Sequence, residues 1–479
     1  MELTLVGHDS LYQVEQLQQA LFSLNQEGTA VSKVERTEDA VRFITTITVG
    51  GKVTEGVRTL PVTEQTVPAF HKALRQSYFD AALPHLPEEP AWGALAGVRP
   101  TKITTKHLLE GGTERSAHRL LAEEYYVSAQ RRGLAIACSL ASVKAVAGTQ
   151  KQDVSLYIGI PFCPTRCTYC SFVSRTAGKK KGMVEEYLQY LMKEIEYTGP
   201  LLKDAGATRR TLYAGGGTPT TLEAEQLERL LNCVRSHLDL SRCVEFTVEA
   251  GRPDTLTEEK LQVLKAAGVD RISINPQTMQ DEVLQACGRP HSAEDVRKIY
   301  KKAVEMGFEN INMDLIAGLP KDSVAGFQAS LDELIELRPA NITVHTLALK
   351  KGADLFESRQ SLPSRQEVSE MVDYSRMRLS ESGYQPYYLY RQKYMSGSYE
   401  NVGWSRDNRD CLYNIFMMEE LHSIVSLGGG AMSKVNLPGG KLERFHNPKF
   451  PEQYMEQFEG VSEQKQKLCS LLKDLNSQG

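Results

Sequence analysis

The chain has no apolar run long enough to cross a bilayer: its longest mostly apolar stretch, residues 133–146, is broken by Ser139, Ser142 and Lys144 and falls short of the ~20 residues a spanning helix needs. It has no surplus of positive charge either. With 56 Lys and Arg against 60 Asp and Glu, the net charge of −4 offers no general surface for a polyanion, which sets nucleic-acid substrates aside. The first ten residues carry Glu2 and Asp9 and lack a basic segment followed by an apolar one, so no secretory leader is expected. No internal duplication or long low-complexity segment is present. Nine cysteines, an odd number in a long chain without a leader, read as reduced thiols and metal ligands in a cytoplasmic protein. The apolar content of 41% and charged content of 24% are those of a globular protein, and 479 residues suggest two or three domains.

Against that background one loop stands out. In Tyr157-Ile-Gly-Ile-Pro-Phe-Cys-Pro-Thr-Arg-Cys-Thr-Tyr-Cys, three cysteines, Cys163, Cys167 and Cys170, are separated by three and then two residues. A predicted strand over 154–160 delivers them onto a loop opened by Pro161. Thiolate is the soft ligand that iron-sulfur clusters and zinc both accept, and one short loop supplies several sulfurs at small ordering cost. Structural zinc wants four closed ligands, usually in two separated pairs. Here the next cysteine or histidine is Cys233 or His237 downstream and Cys138 upstream, so a zinc site would need a distant histidine. A cubane cluster held by three cysteines instead leaves one iron open to an external ligand. Buried, unligated thiols are the third reading, and Pro164, Thr165 and Arg166 between two of the cysteines suit it badly.

From residue 154 to 346 the sequence alternates strand, loop and helix. Strands are predicted at 154–160, 211–214, 244–248, 271–274, 310–316 and 341–345, and helices at 184–197, 224–237, 258–267, 293–306 and 327–337. Six parallel strands with intervening helices predict a partial (β/α)6 barrel, with a Rossmann-type sheet as the competing arrangement. Upstream, residues 41–49 alternate as a strand, Gly50-Gly51 marks a hairpin turn, 52–60 continue, and 113–147 read as helical. The expected organisation is therefore an α/β protein with three parts. Residues 1–150 form an N-terminal α+β domain, 151–350 the barrel carrying a 4Fe-4S cluster, and 351–479 a C-terminal α/β extension read as a substrate cover. Glycines in Leu427-Gly-Gly-Gly-Ala-Met-Ser433 predict a close backbone approach, and Lys179-Lys180-Lys181 reads as a solvated loop.

The unusual motifs fall at the carboxyl ends of the predicted strands, where such barrels place ligand residues. Leu212-Tyr-Ala-Gly-Gly-Gly-Thr-Pro219 follows the second strand, and its glycines bare backbone N–H and C=O groups to a charged amino-acid moiety. Glu249 and Arg252 end the third strand. Gln277 follows the fourth, and Asp314 lies in the fifth, where an acid within an apolar run needs a partner; Arg289 is one candidate.

The cysteine loop after a Tyr-Ile-x-Ile-Pro-Phe strand resembles the signature of the radical S-adenosylmethionine (SAM) enzymes. The order of motifs from Tyr157 to His345 resembles the oxygen-independent coproporphyrinogen III oxidase family. Within it, the segments 97–102, 248–254, 274–279 and 413–419 are similar to the coproporphyrinogen dehydrogenase branch called HemZ, which adds an amino-terminal domain. The resemblance implies that Cys163, Cys167 and Cys170 hold the cluster, and that its open iron chelates SAM, which one electron cleaves to a 5′-deoxyadenosyl radical. It further implies SAM contacts at Tyr157, Tyr169, Gly216, Gly217, Thr218, Glu249, Gln277, Arg289 and Asp314, and by spacing alone at Ala348. The well-studied oxidases carry an extra cysteine where this chain has Phe172.

On that resemblance the expected reaction is oxidative decarboxylation of coproporphyrinogen III to protoporphyrinogen IX, in porphyrin and haem biosynthesis. The partners would be a tetrapyrrole substrate and an electron donor and acceptor that the sequence does not name. Candidate cations for its propionates are Arg99, Lys102, Arg252 and the segment 387–393. A haem-binding chaperone of the same family, whose Cys-Ser-Phe sequence matches residues 170–172, is the alternative from another class. A radical SAM enzyme acting on another tetrapyrrole, and a tRNA-modifying one, are the remaining readings.

Overall fold

A computed structural model describes residues 1–479 except 23–25, 173, 180, 351, 358–360, 393–398 and 478–479. Lys180 of the lysine run and Lys393 of the cationic segment lie outside the described residues. The chain divides into two compact units, Met1–Leu140 with Leu389–Glu400, and Ala141–Tyr388 with Asn401–Gly479. Among the described residues no helix is long and apolar enough to cross a membrane.

The first unit holds a four-stranded sheet of β1 (Glu2–Val6), β2 (Thr29–Arg36), β3 (Ala40–Val49) and β4 (Lys52–Pro61), in that order. Gly50 and Gly51, at φ +56° and +80°, form the two-residue turn between β3 and β4, a geometry open to glycine and matched to strand twist. Period-two alternation in β3 turns Val41, Phe43 and Ile47 toward the helix Val67–Ala82, whose Leu74, Tyr78 and Phe79 complete two small cores. The helix expected over 113–147 is two, Glu114–Tyr125 and Ala129–Ala147. Tyr126 turns left-handed at φ +54°, and the Tyr125 carbonyl takes the Ala94 N–H instead of continuing the ladder. Residues 92–102 are clamped within this unit. Trp92 Nε1 donates to Glu400 at 2.7 Å, the other Glu400 oxygen lies 2.8 Å from buried Arg131, and Arg391 gives its guanidinium to the Leu95 carbonyl and its backbone N–H to Val98.

The second unit is built on β5 (Asp153–Ile160), β6 (Phe162–Cys163), β7 (Arg175–Thr176), β8 (Thr208–Gly216), β9 (Glu245–Gly251), β10 (Arg271–Ile274), β11 (Asn310–Ala317) and β12 (Asn341–Thr346). It continues with β13 (Gln385–Arg391) up to Tyr388, β14 (Glu400–Ser405) from Asn401, β15 (Ser423–Leu427), β16 (Met432–Leu437) and β17 (Lys441–His446). The large sheet runs β13-β14-β12-β11-β10-β9-β8-β5-β15-β16-β17, and β5 to β12 within it are six parallel strands in monotonic order. A Rossmann sheet would reverse direction at a switch point. This one does not, and β5 and β12 are flanked by other strands instead of each other, so the barrel is partial.

The expected boundary near residue 350 does not separate compact bodies. β14 pairs antiparallel with β12 through Asn341↔Ser405 to Val344↔Val402, and β15 pairs parallel with β5 through Ser423↔Val154 to Leu427↔Ile158. Strands from the last quarter of the chain thus satisfy both open edges of the barrel, which would otherwise expose unpaired N–H and C=O groups. The glycine stretch after β15 does approach backbone closely. A Cβ on Gly428 would lie 2.6 Å from the Gly159 carbonyl oxygen, and the Gly428 and Gly429 N–H groups donate to Glu194 and Tyr187 at 2.7 and 2.8 Å.

The parallel strands are not apolar on both faces. Leu156, Leu212, Phe246, Ile272, Met313 and Ile342 are buried in the core, while the alternate positions, Tyr157, Tyr213, Thr247, Ser273, Asn312 and Thr343, give the other face a polar and aromatic lining. A parallel sheet ordinarily reads as continuous apolar sequence because both faces are covered by hydrocarbon. The alternation here marks an interior made for a ligand.

Candidate functional site

The interior is layered along the strands. At the amino-terminal ends Arg271 pairs with Glu245 at 3.5 Å, both nearly inaccessible, and donates to Asn341 Oδ1. Glu245 also accepts the backbone N–H groups of Leu412 and Tyr413, each at 3.0 Å, capping the helix Leu412–Glu419. That cap carries Tyr413 into the middle layer, where its ring stacks on Tyr213 at 4.5 Å and on Tyr157 at 6.2 Å. These three rings floor the upper layer.

The upper layer is acidic. Tyr213 Oη donates to Glu249 Oε1 at 2.5 Å and the Gly216 N–H to Oε2 at 3.3 Å. Burial pushes the Glu249 carboxyl up to about 7; the Tyr213 hydrogen bond opposes this, and the charge of Asp314 adds to it. Burial, and next the Glu249 charge, raises the Tyr213 phenol. Asp314 accepts from Asn312 at 2.7 Å and stands 3.7 Å from His345 Nε2. The expected Arg289–Asp314 pair is not formed among the described residues, because Arg289 is engaged on the cysteine loop. Gln277 holds φ +73°, locked by its N–H to the Asp314 carbonyl and its carbonyl to the Ile316 N–H, each 2.9 Å. The buried Oε1 of Gln277 and Oδ1 of Asn275 have no hydrogen-bond partner among the described residues. A strained residue with an unmet acceptor is a common mark of a binding site.

The cysteine loop sits beside this layer. Gly217 and Thr218 donate their N–H groups to Ile160 and Phe162 at 2.8 and 2.7 Å, so the glycine triplet is stitched to the strand that carries Cys163. Only glycine fits at 217, where a Cβ would meet the Phe162 oxygen at 2.4 Å. Thr218 Oγ1 donates to Cys163 Sγ at 3.6 Å. Cys170 closes a turn on the Cys167 carbonyl at 3.1 Å, and Thr168 N–H donates to the Cys287 carbonyl at 3.1 Å. Burial is the main cause that raises the Cys163 thiol and brings Cys170 up to about 11; the charge of Cys167 adds to both, and that of Cys163 adds to Cys170. Arg289 donates to Cys167 Sγ at 3.8 Å, to Tyr169 Oη at 3.2 Å and to the Asn275 carbonyl at 2.6 Å. Phe172 lies 69% exposed just beyond Cys170, and Ala348 lies two residues past β12.

The structure therefore brings together Tyr157, Gly216, Gly217, Thr218, Glu249, Gln277 and Asp314, with Cys163, Cys167, Cys170, Tyr169 and Arg289 adjoining them. It does not bear out Arg252 as an open cation for propionates: that side chain is 4% exposed and fully committed to Asp254 and the cysteine loop. Tyr387, Tyr388 and Arg391 are likewise buried, because their segment builds β13. Arg99 and Lys102 are half-buried in the first unit. Sequence reasoning passed over Tyr213, Asn312 and His345. For Asn312 the signal was present in the i, i+2 alternation of Asn310-Ile-Asn-Met-Asp, which puts it on the face of Asp314.

Residues 157–334 match the Radical SAM superfamily. The chain is 42% identical over 381 residues, 78% of its own length and 76% of the relative's, to the oxygen-independent coproporphyrinogen-III oxidase-like protein HemZ of Bacillus subtilis (strain 168). It is 30% identical over 306 residues, 63% of its length and 76% of the relative's, to the heme chaperone HemW of Escherichia coli (strain K12). Among solved structures it is similar to the coproporphyrinogen III oxidase HemN of Escherichia coli, a radical SAM enzyme, at 26% identity and TM-score 0.54, covering 68% of this chain and 73% of that one. The cofactors of this superfamily are a 4Fe-4S cluster and SAM. The residues present fit both. Three thiols stand on one loop, and two guanidinium groups reach the sulfur of Cys167, which suits an anionic cluster; the unmet acceptors of Asn275 and Gln277 suit the N–H donors of a ligand.

Proposed function

Because the chain belongs to the oxygen-independent coproporphyrinogen-III oxidase-like family of the radical SAM superfamily, we propose that it oxidatively decarboxylates propionate side chains of coproporphyrinogen III. Each propionate loses one hydrogen atom, carbon dioxide and one electron and becomes a vinyl group; two such rounds give protoporphyrinogen IX. An electron donor to the cluster and an acceptor from the substrate are required partners. The observation that carries this reading is 42% identity to an oxidase-like relative across 381 residues.

In this reading Cys163, Cys167 and Cys170 hold the cluster, and Gly216, Gly217, Thr218, Glu249, Gln277 and Asp314 hold SAM. When bound, the two together supply a one-electron route to a 5′-deoxyadenosyl radical that takes hydrogen from carbon. The protein's own contribution is positional. The glycine wall presents backbone groups to the methionine moiety, and Glu249, its carboxyl pushed up to about 7, accepts hydrogen bonds from an ammonium or hydroxyl when ionised and donates one to a hydroxyl oxygen when protonated. Stacked Tyr157, Tyr213 and Tyr413 close the interior from below and exclude water.

Anaerobic enzyme given SAM, a reductant and coproporphyrinogen III is expected to release carbon dioxide and yield product smaller by the mass of two carboxyl groups and two hydrogens, read by mass spectrometry. Cys167→Ser is expected to lose iron-sulfur absorbance and SAM cleavage together. The second reading, haem transfer, is favoured by the similarity to HemW proteins of Escherichia coli and Bacillus subtilis at 30% and 34% identity. Stoichiometric haem binding and release without SAM turnover would select it over decarboxylation.

A further inference from the structure

Arg252 was read from the sequence as a substrate cation, and the structure gives it a different task. Its guanidinium bridges two parts of the second unit with all three nitrogens. Nη1 donates to the Thr165 carbonyl at 3.2 Å, to Thr165 Oγ1 at 2.8 Å and to Cys167 Sγ at 4.0 Å. Nε and Nη2 form a two-point pair with Asp254 at 3.0 and 2.8 Å. Asp254 in turn accepts from His291 Nδ1 at 3.3 Å. The end of β9 is thereby fastened to the middle of the cysteine loop.

The pair is not electrically neutral as seen from the sulfur. Arg252 is 4% exposed and touches Cys167, whereas Asp254 is 22% exposed and lines, with Pro253, Glu258, Pro290 and His291, an open cleft of about 580 Å³. Water in that cleft screens the carboxylate, while the guanidinium acts through low-dielectric protein at short range. Hydrogen bonds and positive charge at a cluster sulfur favour the more electron-rich state. Arg289, 3.8 Å from the same sulfur, has neutral partners in Tyr169 and the Asn275 carbonyl and no carboxylate among the described residues. Cys167 is thus touched by two cations, one of them tunable through its carboxylate.

We propose that Arg252 is a positioning residue for the cluster, holding Cys167 and raising the cluster's reduction potential, with Asp254 setting how much of its charge the sulfur feels. This rests on the reading that the three cysteines hold a 4Fe-4S cluster. The chemistry is a one-electron reduction, with the electron coming from the donor that the proposed function already requires.

The test is an anaerobic redox titration of the full-length protein, without substrate, followed by electron paramagnetic resonance of the reduced cluster and normalised to iron and sulfide content. Arg252→Gln is expected to move the midpoint to more negative potential, so that at the wild-type midpoint the reduced-to-oxidised ratio falls about tenfold, or about 59 mV for one electron. Asp254→Asn is expected to move it the opposite way, since it exposes the sulfur to an unopposed guanidinium. Arg252→Lys keeps the charge and is expected to restore most of the wild-type value. Midpoints of Arg252→Gln and Asp254→Asn that match wild type, or shift together in one direction as simple loosening of the loop would cause, overturn the proposal. If Arg252→Gln fails to retain a cluster, Asp254→Asn decides alone, and no positive shift counts against the idea. A wild-type protein with no four-iron signal would sink the cluster reading itself, an outcome distinct from an intact signal with unmoved variants.

Discussion

Replacing Glu249 by Gln tests whether the interior is as desolvated as its geometry implies. The carboxyl moves from an ordinary value of 4.5 to about 7 on folding, mainly because it leaves water, which corresponds to about 3 kcal/mol of differential interaction between its two protonation states. The folded state therefore holds a proton between about pH 4.5 and 7 that the unfolded state has released. The unfolded chain binds fewer protons in that window, so this group makes stability fall as pH rises from 4.5 to 7, and above 7 the full penalty remains. Glutamine keeps an acceptor for Tyr213 but meets the Gly216 N–H with a second donor, a loss on the order of 1–3 kcal/mol. The difference in unfolding free energy between variant and wild type, measured by urea denaturation without SAM, should shift in the variant's favour by about 3 kcal/mol between pH 4.5 and 8. A pH-independent difference would mean that Glu249 is well hydrated, and the description of a water-excluding upper layer would be wrong. The same variant is expected to bind SAM more weakly, so stability at high pH and ligand affinity should move in opposite directions.

Gly217→Ala places a methyl group 2.4 Å from the Phe162 oxygen, which the backbone cannot yield cheaply, so about 1–3 kcal/mol of stability and a share of cluster occupancy should be lost, read by urea midpoint and iron content. Asp314→Ala should weaken SAM binding at least tenfold, about 1.4 kcal/mol, with cluster content unchanged in calorimetric titration and iron assay. Equal SAM affinity would remove Asp314 from the site. Lys465→Met strips the partner from Glu194 at 3.2 Å, where both side chains are 1% exposed, and should cost about 3–5 kcal/mol in chemical denaturation. Asn447, Tyr454 and the Gly428 N–H still bond Glu194, and a cost below 1 kcal/mol in that assay would mean they suffice to hold its charge.

The parts of this protein fixed by its sequence are those whose causes are local. Hydrophobic periodicity located all six parallel strands to within a few residues, because period two and period 3.6 are properties of neighbouring residues. Three cysteines within eight residues, a glycine triplet and Gly50-Gly51 announce backbone demands that only those side chains meet. The strand-end positions of Glu249, Gln277 and Asp314 followed from the same register. Tertiary structure alone decided the rest. β14 and β15 complete the barrel edges from residues far along the chain, and edge pairing leaves no signature in the strand itself. Arg252 and Arg289 carry the same charge and stand in similar loops, yet whether each meets a propionate, Asp314 or Cys167 depends on how β9 and β10 twist beside the cysteine loop. Tyr413 enters the barrel because Glu245, separated from it by more than 160 residues, caps its helix. Long-range contacts of that kind are set by the geometry of closure, and no window of sequence contains both partners.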